Sequence, residues 1–164
     1  PLDGEALAGA MQAYYAYSET LWKITPGAHD ALERLRALGL RVGLLSNAGD
    51  AANIERLIDK FELRAYLDPI VISANTGIRK PNPRAFERVL EPWGLGPESA
   101  VMVGDTLGAD ILGAQLLKMR HIWLTAYAGH TANHAHRDTI VPEASAEDLA
   151  QVVDLIHHWA SEEP

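Results

Sequence analysis

Asp105 and Asp110 are the residues whose types and spacing are best suited to chemistry. They follow Gly104 and the apolar segment Ala100–Val103, which together predict a short strand ending on a glycine. A carboxylate directly after such a strand lies at its carboxyl end, and ligands of open α/β sheets bind at that edge. Carboxylate oxygens are ligands that Mg²⁺ prefers, and a bound phosphate commonly supplies others. The pair therefore indicates a site for Mg²⁺ and a phosphate group.

Two other predicted strands also end on polar residues. Ser46 and Asn47 follow one apolar segment, and the turn after Ile70–Ser73 leads to Lys80. Because the carboxyl ends of parallel strands meet at one edge, we expect these residues beside the two carboxylates. A fixed cation, neutral donors and backbone N–H groups are suited to holding a phosphate.

Strand and helix patterns alternate along most of the chain, and these predicted elements position the polar residues. Short apolar or β-branched segments predict strands at Arg41–Leu45, Ile70–Ser73, Ala100–Gly104 and Arg120–Leu124, with an edge strand at Thr139–Pro142. Apolar periodicity predicts helices at Gly4–Thr20, Ala28–Leu38, Ala51–Lys60 and Arg84–Leu90, one ending near Leu117, and one from an N-cap at Ser145 to Trp159. This alternation predicts a three-layer, Rossmann-like α/β fold with a mostly parallel sheet and helices on both faces.

Three segments, each after a predicted strand, resemble motifs of one family and occur in its order. Leu45–Asn47 is similar to the second motif of the haloacid dehalogenase superfamily, Gly77–Phe86 to the third and Val103–Ala114 to the fourth. The resemblance extends from about Pro26 to the C-terminal helix. It implies the α/β core of that family, in the form that has a helical cap inserted early in the chain.

The resemblance also implies a role for each site residue. In this family an aspartate at the end of the first strand attacks phosphorus and forms an aspartyl-phosphate, and a second aspartate just after it acts as general acid and base. Ser46 and the backbone of Asn47 would hold phosphoryl oxygens, and Lys80 would neutralise the nucleophile and the phosphate. Asp105 would bind Mg²⁺ directly, whereas Asp110 would bind it through water or hold Lys80 in place. The resemblance thus implies an Mg²⁺-dependent phosphoric monoester hydrolase that acts on a small phosphorylated metabolite.

The fourth motif distinguishes branches of the family. Haloacid dehalogenases proper use no metal, and their corresponding turn is of a Ser-Ser-Asn type with one distal aspartate. Here Gly104 precedes Asp105, and Asp110 follows. This pattern resembles the Mg²⁺-dependent phosphatases, with a haloacid dehalogenase as a further alternative.

The family's first motif, Asp-x-Asp-Gly-Thr after an apolar strand, does not occur in this sequence. We interpret residues 1–24 as the end of the helical cap and residues 25–164 as the core without its first strand. In the family that strand lies between the strands that end here at Ser46 and Gly104, so we expect a gap there. Upstream residues or another chain would supply the strand, and residues 1–164 alone are expected to lack phosphatase activity.

Each functional assignment of a site residue has a simpler structural alternative. Asp105 and Asp110 could be a helix N-cap and a solvated helix residue, Lys80 a surface lysine, and Ser46 and Asn47 ordinary turn residues. Such residues in a chain without the nucleophile would also suit a non-catalytic binding or regulatory module of the same fold.

The loop from Thr125 to Asp138 contains His130, His134 and His136, which invites a zinc hypothesis. No regular helix would align these histidines, and no carboxylate or cysteine stands out as a further ligand. A solvated loop is the favoured interpretation.

Composition narrows the classes of partner. The 164 residues carry a net charge of −8, which argues against a nucleic-acid or membrane-surface partner. The absence of cysteine excludes a disulfide framework and a thiolate nucleophile, and is consistent with a cytoplasmic protein. No apolar run approaches the roughly 20 residues that span a bilayer.

Overall fold

A computed structural model describes residues 3–162, in which strands and helices alternate along the chain. The strands are β1 (Val42–Ser46), β2 (Leu67–Ile72), β3 (Val101–Gly104), β4 (Arg120–Leu124) and β5 (Ala144–Ala146). The helices are α1 (Gly4–Leu21), α2 (Ala28–Ala37), α3 (Ala51–Lys60), α4 (Ser73–Thr76), α5 (Pro83–Leu90), α6 (Leu112–Leu116) and α7 (Leu149–Glu162). A π-helix, Leu107–Ile111, directly precedes α6. No helix within the described range is long and apolar enough to cross a membrane.

All strand pairings among the described residues are parallel. β1 pairs with β2, and β3, β4 and β5 pair in that order. Ser46 lies opposite Ile72 and Gly104 opposite Trp123, so the strands of each sheet end together. The predicted α/β class with parallel strands is confirmed.

Alternate residues of β3 show the layers of the fold. Met102 packs on a cluster from α5 and α6 that includes Phe86 and Leu90, whereas Val101 and Val103 pack on a cluster that includes Val152 of α7. Because successive strand residues point to opposite faces, helices cover both sides of the sheet. This is the three-layer arrangement expected from the sequence.

β1 and β3 are not paired with each other anywhere in residues 3–162, and each has one edge without a strand partner there. Every residue of both strands is half-buried, whereas Ile72 of β2 and Ile122 of β4 are 1% and 0% exposed. Leu45 of β1 and Met102 of β3 nevertheless contact the same hydrophobic cluster. The two sheets therefore share one core without pairing directly within residues 3–162.

The last strand and helix differ from the sequence prediction. Thr139–Pro142 is not a strand; Ile140 is only 6% exposed because it packs against the π-helix, which explains its apolar character without strand pairing. The fifth strand is β5, so Ser145 lies within a strand and does not cap a helix. Asp148 directly precedes α7 instead, with its carboxylate accepting a hydrogen bond from Gln151 N at 2.9 Å.

Helix α1 is fastened to the core at its carboxyl end. Glu19 Oε1 accepts hydrogen bonds from Asn53 Nδ2 at 2.8 Å and Arg56 Nε at 2.7 Å, and Lys60 Nζ donates to the Glu19 carbonyl at 2.5 Å. No side chain of α1 is buried. Its apolar residues are largely exposed, among them Leu7, Met11, Tyr14, Tyr17 and Leu21. The attachment of α1 therefore depends on polar contacts with α3.

This attachment is expected to weaken in acid. Hydrogen bonds from Arg56 and then from Asn53 lower the pKa of Glu19 below its ordinary value of 4.5. A carboxyl group with a lowered pKa stabilises the folded contact above its unfolded pKa and loses that effect as pH falls through the folded value. In an NMR pH titration, the side-chain amide of Asn53 should shift with a midpoint below 4.5. Glu19→Gln should abolish this shift and Glu5→Gln, on the same helix, should not; a midpoint above 4.5 would contradict the prediction.

Candidate active site

A buried ion pair joins two of the predicted motifs. Lys80 Nζ lies 2.7 Å from Asp110 Oδ1, and their side chains are 10% and 5% exposed. The same ammonium group donates a hydrogen bond to the Leu45 carbonyl at 2.6 Å, in β1. Lys80 thus connects the end of β1 to the π-helix that follows β3. The three segments converge at one edge, as their positions after parallel strands predict.

The turn after β1 is held by two side chains. Asn47 pairs with the backbone of Lys80, donating from Nδ2 to the carbonyl at 3.0 Å and accepting from Lys80 N at 2.9 Å. Ser73, 5% exposed, donates from Oγ to the Ala48 carbonyl at 2.9 Å and accepts from Ala48 N at 3.0 Å. The Asn47 side chain therefore shapes the site, and the hydroxyl of neighbouring Ser46 has no hydrogen-bond partner among residues 3–162.

Gly104 and the π-helix place the Asp110 carboxylate. A Cβ on Gly104 would lie 2.3 Å from Asp110 Oδ2, so only glycine leaves room for the carboxylate at this position. Asp110 N donates to the Thr106 carbonyl at 2.8 Å, and Ile111 N approaches the same carbonyl at 3.5 Å. The Asp110 side chain returns to this turn, since Thr106 N donates to Oδ2 at 2.9 Å. Short π-helices of this kind occur often at functional sites.

Asp105 is held through its backbone and not through its carboxylate. Its carbonyl accepts hydrogen bonds from Trp123 Nε1 at 3.0 Å and from Asn133 Nδ2 at 2.9 Å. Asn133 Oδ1 in turn accepts from Leu107 N at 2.8 Å. The Asp105 carboxylate has no hydrogen-bond partner within the described part of the chain. It is therefore available to a ligand.

The donor set at this edge fits a hard cation in part. The contact between Asp110 Oδ1 and Lys80 is an ion pair without hydrogen-bond geometry, so this buried oxygen keeps an unused acceptor direction. With Asp105 it offers two anionic oxygen ligands, which suit Mg²⁺ when phosphate oxygens or water complete the coordination. Residues 3–162 contain no group of three or more His, Cys, Asp or Glu placed to hold a metal. A third carboxylate, histidine or cysteine ligand would have to come from outside these residues.

The histidine loop does not form a cluster of its own. His130 and His134 are exposed, and His130 Nδ1 accepts a hydrogen bond from Ala132 N at 3.3 Å within its own turn. His136 is half-buried and packs over Gly108, where a Cβ would lie 2.5 Å from its Nε2. The loop therefore packs against the segment that carries the two aspartates.

Three residues of the site were not found by sequence reasoning. The sequence predicts Ser73 and Trp123 only as residues of strands, and it does not single out Asn133. Their partners lie 18 to 28 residues away in the chain. No local pattern reports such contacts, so the sequence offered no signal for them.

Comparison with known proteins gives consistent matches. The sequence profile described as haloacid dehalogenase-like hydrolase matches residues 2–117. The chain is 29% identical over 123 residues to glyceraldehyde 3-phosphate phosphatase of Pyrococcus abyssi, covering 75% of this chain and 51% of that protein. It is 38% identical over 132 residues to pyrimidine 5'-nucleotidase YjjG of Escherichia coli, covering 80% and 56%. The chain thus spans about half the length of these curated relatives.

A solved structure gives the same fold. A conserved haloacid dehalogenase-like protein of Agrobacterium tumefaciens superposes with a TM-score of 0.76 at 23% identity, covering 98% of this chain and 72% of that one. At this level of identity the similarity establishes the fold alone.

Proposed function

Since this chain belongs to the haloacid dehalogenase-like hydrolases, we propose that it forms the core of an Mg²⁺-dependent phosphatase that hydrolyses small phosphate monoesters. The observation that carries the proposal is the buried Lys80–Asp110 pair at the ends of β1 and β3, near an Asp105 carboxylate that has no partner among residues 3–162. A buried charge pair is costly unless it is well compensated, so its position at a ligand-binding edge favours a functional role.

Each residue has a proposed role that its surroundings support. The Lys80 ammonium lies at the end of β1, where it would offset the charge of a phosphate and of an anionic nucleophile that otherwise repel each other. The Ser46 hydroxyl, which has no hydrogen-bond partner in the described part of the chain, and the backbone of Asn47 would hold phosphoryl oxygens. Asp105 and Asp110 would hold the cation, with Asp110 also fixing Lys80. When bound, Mg²⁺ would supply charge neutralisation at the phosphate.

The absence of pairing between β1 and β3 within residues 3–162 supports a second part of the proposal. A strand placed between them that ends where both end would lie beside Leu45, Lys80 and Asp110, because the Lys80 ammonium joins the Leu45 carbonyl of β1 to Asp110 after β3. We propose that this strand carries the nucleophilic aspartate and comes from a segment outside residues 1–164. The nucleophile and the residues of this chain would then form one site.

Helix α1 is positioned to contact the part of a substrate that extends from the phosphate. Tyr15 Oη lies 3.8 Å from the point where a side chain on Gly49 would begin, close to the turn after β1. Two relatives are named for a triose phosphate and a pyrimidine nucleotide. These names support a small phosphorylated metabolite as the substrate class, with α1 as the end of a helical cap.

The test compares the full-length protein with residues 1–164. With p-nitrophenyl phosphate, the full-length protein should show turnover that EDTA removes and added Mg²⁺ restores, because the proposed site needs the cation. Residues 1–164 alone should show none. Turnover by residues 1–164 alone would contradict the proposed origin of the nucleophile.

Other outcomes distinguish the remaining alternatives. Release of chloride from 2-chloropropionate without added metal, with no phosphatase turnover, would identify a haloacid dehalogenase. A full-length protein inactive on both substrates and lacking an Asp-x-Asp strand segment would support a non-catalytic module. Either result would overturn the phosphatase proposal.

A further inference from the structure

One peptide unit links the two aspartates of the site. The carbonyl of Asp105 and the N–H of Thr106 belong to the same plane. The carbonyl accepts from Trp123 and Asn133, and the N–H donates to Asp110 Oδ2 at 2.9 Å. A rotation of this plane would move Asp105 and release Asp110 together. The relative placement of the two carboxylates therefore depends on what holds this peptide.

The side chain of Asn133 forms hydrogen bonds only with the segment from Asp105 to Leu107 among the described residues. Its residue is 0% exposed, and both of its side-chain hydrogen bonds go to the stretch from Asp105 to Leu107, 28 and 26 residues away. Burying a polar amide gives little net stability even when its hydrogen bonds are satisfied. A buried asparagine that bonds only to this turn is therefore better explained by the shape it imposes on the turn.

Trp123 completes the arrangement from β4. Its indole Nε1 is the second donor to the Asp105 carbonyl, at 3.0 Å, and its ring packs in the cluster with Leu107 and Ile111. Two donors on one carbonyl fix the direction of that group more tightly than either alone. His136 packs over Gly108 in the same segment, so the loop that carries Asn133 is itself seated on this turn.

We propose that Trp123 and Asn133 are positioning residues that set the geometry of the Asp105–Asp110 pair for its cation. This inference rests on the proposed function, because it concerns the same metal site. Neither residue contacts the reacting atoms; both act through the peptide of Asp105. Outer partners of this kind commonly change metal affinity by about tenfold to hundredfold when they are replaced.

The test uses the full-length protein and Mn²⁺ as the probe, with binding followed by EPR of the free ion. Trp123→Phe removes one donor and keeps an aromatic ring, and Asn133→Leu removes both amide contacts at similar volume. Each should weaken Mn²⁺ binding by about tenfold or more. Trp93→Phe is the matched control, because Trp93 is also half-buried and its Nε1 donates at 2.9 Å to the carbonyl of Asp68, near the start of β2 and not at the end of the strands where the site lies.

The readouts separate positioning from a structural role. At saturating Mg²⁺ the turnover number of Trp123→Phe should return towards that of the unmodified protein, because the defect lies in binding the cation. Affinity for Mn²⁺ in Trp123→Phe equal to that in Trp93→Phe would overturn the inference, even if Asn133→Leu fails to fold. Failure of the unmodified protein to bind Mn²⁺ would overturn the metal site of the proposed function and this inference with it.

Discussion

Lys80→Met is expected to lower the free energy of unfolding by about 3–5 kcal/mol, because it leaves the Asp110 carboxylate buried without its partner. Asp110 is 5% exposed and cannot recover its charge interactions from water. Methionine keeps most of the stem of the lysine, so lost packing contributes little. Urea denaturation of the full-length protein measures the effect. Turnover of p-nitrophenyl phosphate should fall by at least about a hundredfold, because the substitution removes the ammonium group proposed to offset the charge of the phosphate.

A matched ion pair elsewhere in the chain provides the control. Arg34 and Asp154 lie 2.5 Å apart, but their side chains are 40% and 68% exposed. Arg34→Met should therefore cost less than about 1 kcal/mol and leave turnover unchanged. The double variant Lys80→Met/Asp110→Asn should regain part of the lost stability without regaining turnover. If Lys80→Met proves as stable as Arg34→Met, the pair is not a buried charge interaction and its assignment fails.

Gly104→Ala is expected to displace Asp110 from Lys80. The added Cβ would lie 2.3 Å from Oδ2 and 2.4 Å from Cβ and Cγ of the aspartate, which are distances that no packing adjustment of the methyl group can relieve. Overpacking of this kind costs about 1–3 kcal/mol of stability. A shift of the carboxylate by about 1 Å is enough to lower turnover by about a hundredfold. Denaturation and the Mg²⁺ dependence of turnover measure the two effects.

Gly129→Ala is the matched glycine control. A Cβ on Gly129 meets no atom within 4 Å, and its backbone does not need a positive φ. Its stability should stay within about 0.5 kcal/mol of the unmodified protein. Full activity and unchanged Mg²⁺ dependence in Gly104→Ala would show that the Asp110 carboxylate does not need its place against β3.

The sequence was sufficient where function depends on local order along the chain. An apolar strand followed by Ser46, by the turn to Lys80 or by Asp105 implies a position at one edge, and the structure places all three turns there. The α/β class and the family follow from the same segments, and both are confirmed. The assigned roles of the site residues remain predictions.

The sequence was insufficient where tertiary contacts determine the role of a residue. Ile140 has the β-branched apolar character of a strand residue, yet it serves to cover the π-helix. Asn133 lies in a polar loop where its type is ordinary, and only the folded chain brings it to Asp105. Ser73 follows a strand like many serines, and its partner on Ala48 is set by the parallel register of β1 and β2.

β1 and β3 each have an edge without a strand partner in residues 3–162, which has a consequence for aggregation. Sheet edges exposed to solvent are commonly protected by charged residues or prolines, which discourage pairing with other chains. The five residues of β1 and the four of β3 include neither. Both edges are therefore suited to pair with a further strand, and they are poorly protected against pairing with a strand of an unrelated chain or of another copy of this one. The strand proposed to carry the nucleophile would also shield this chain from self-association, so that the active site and resistance to aggregation would form in the same folding step.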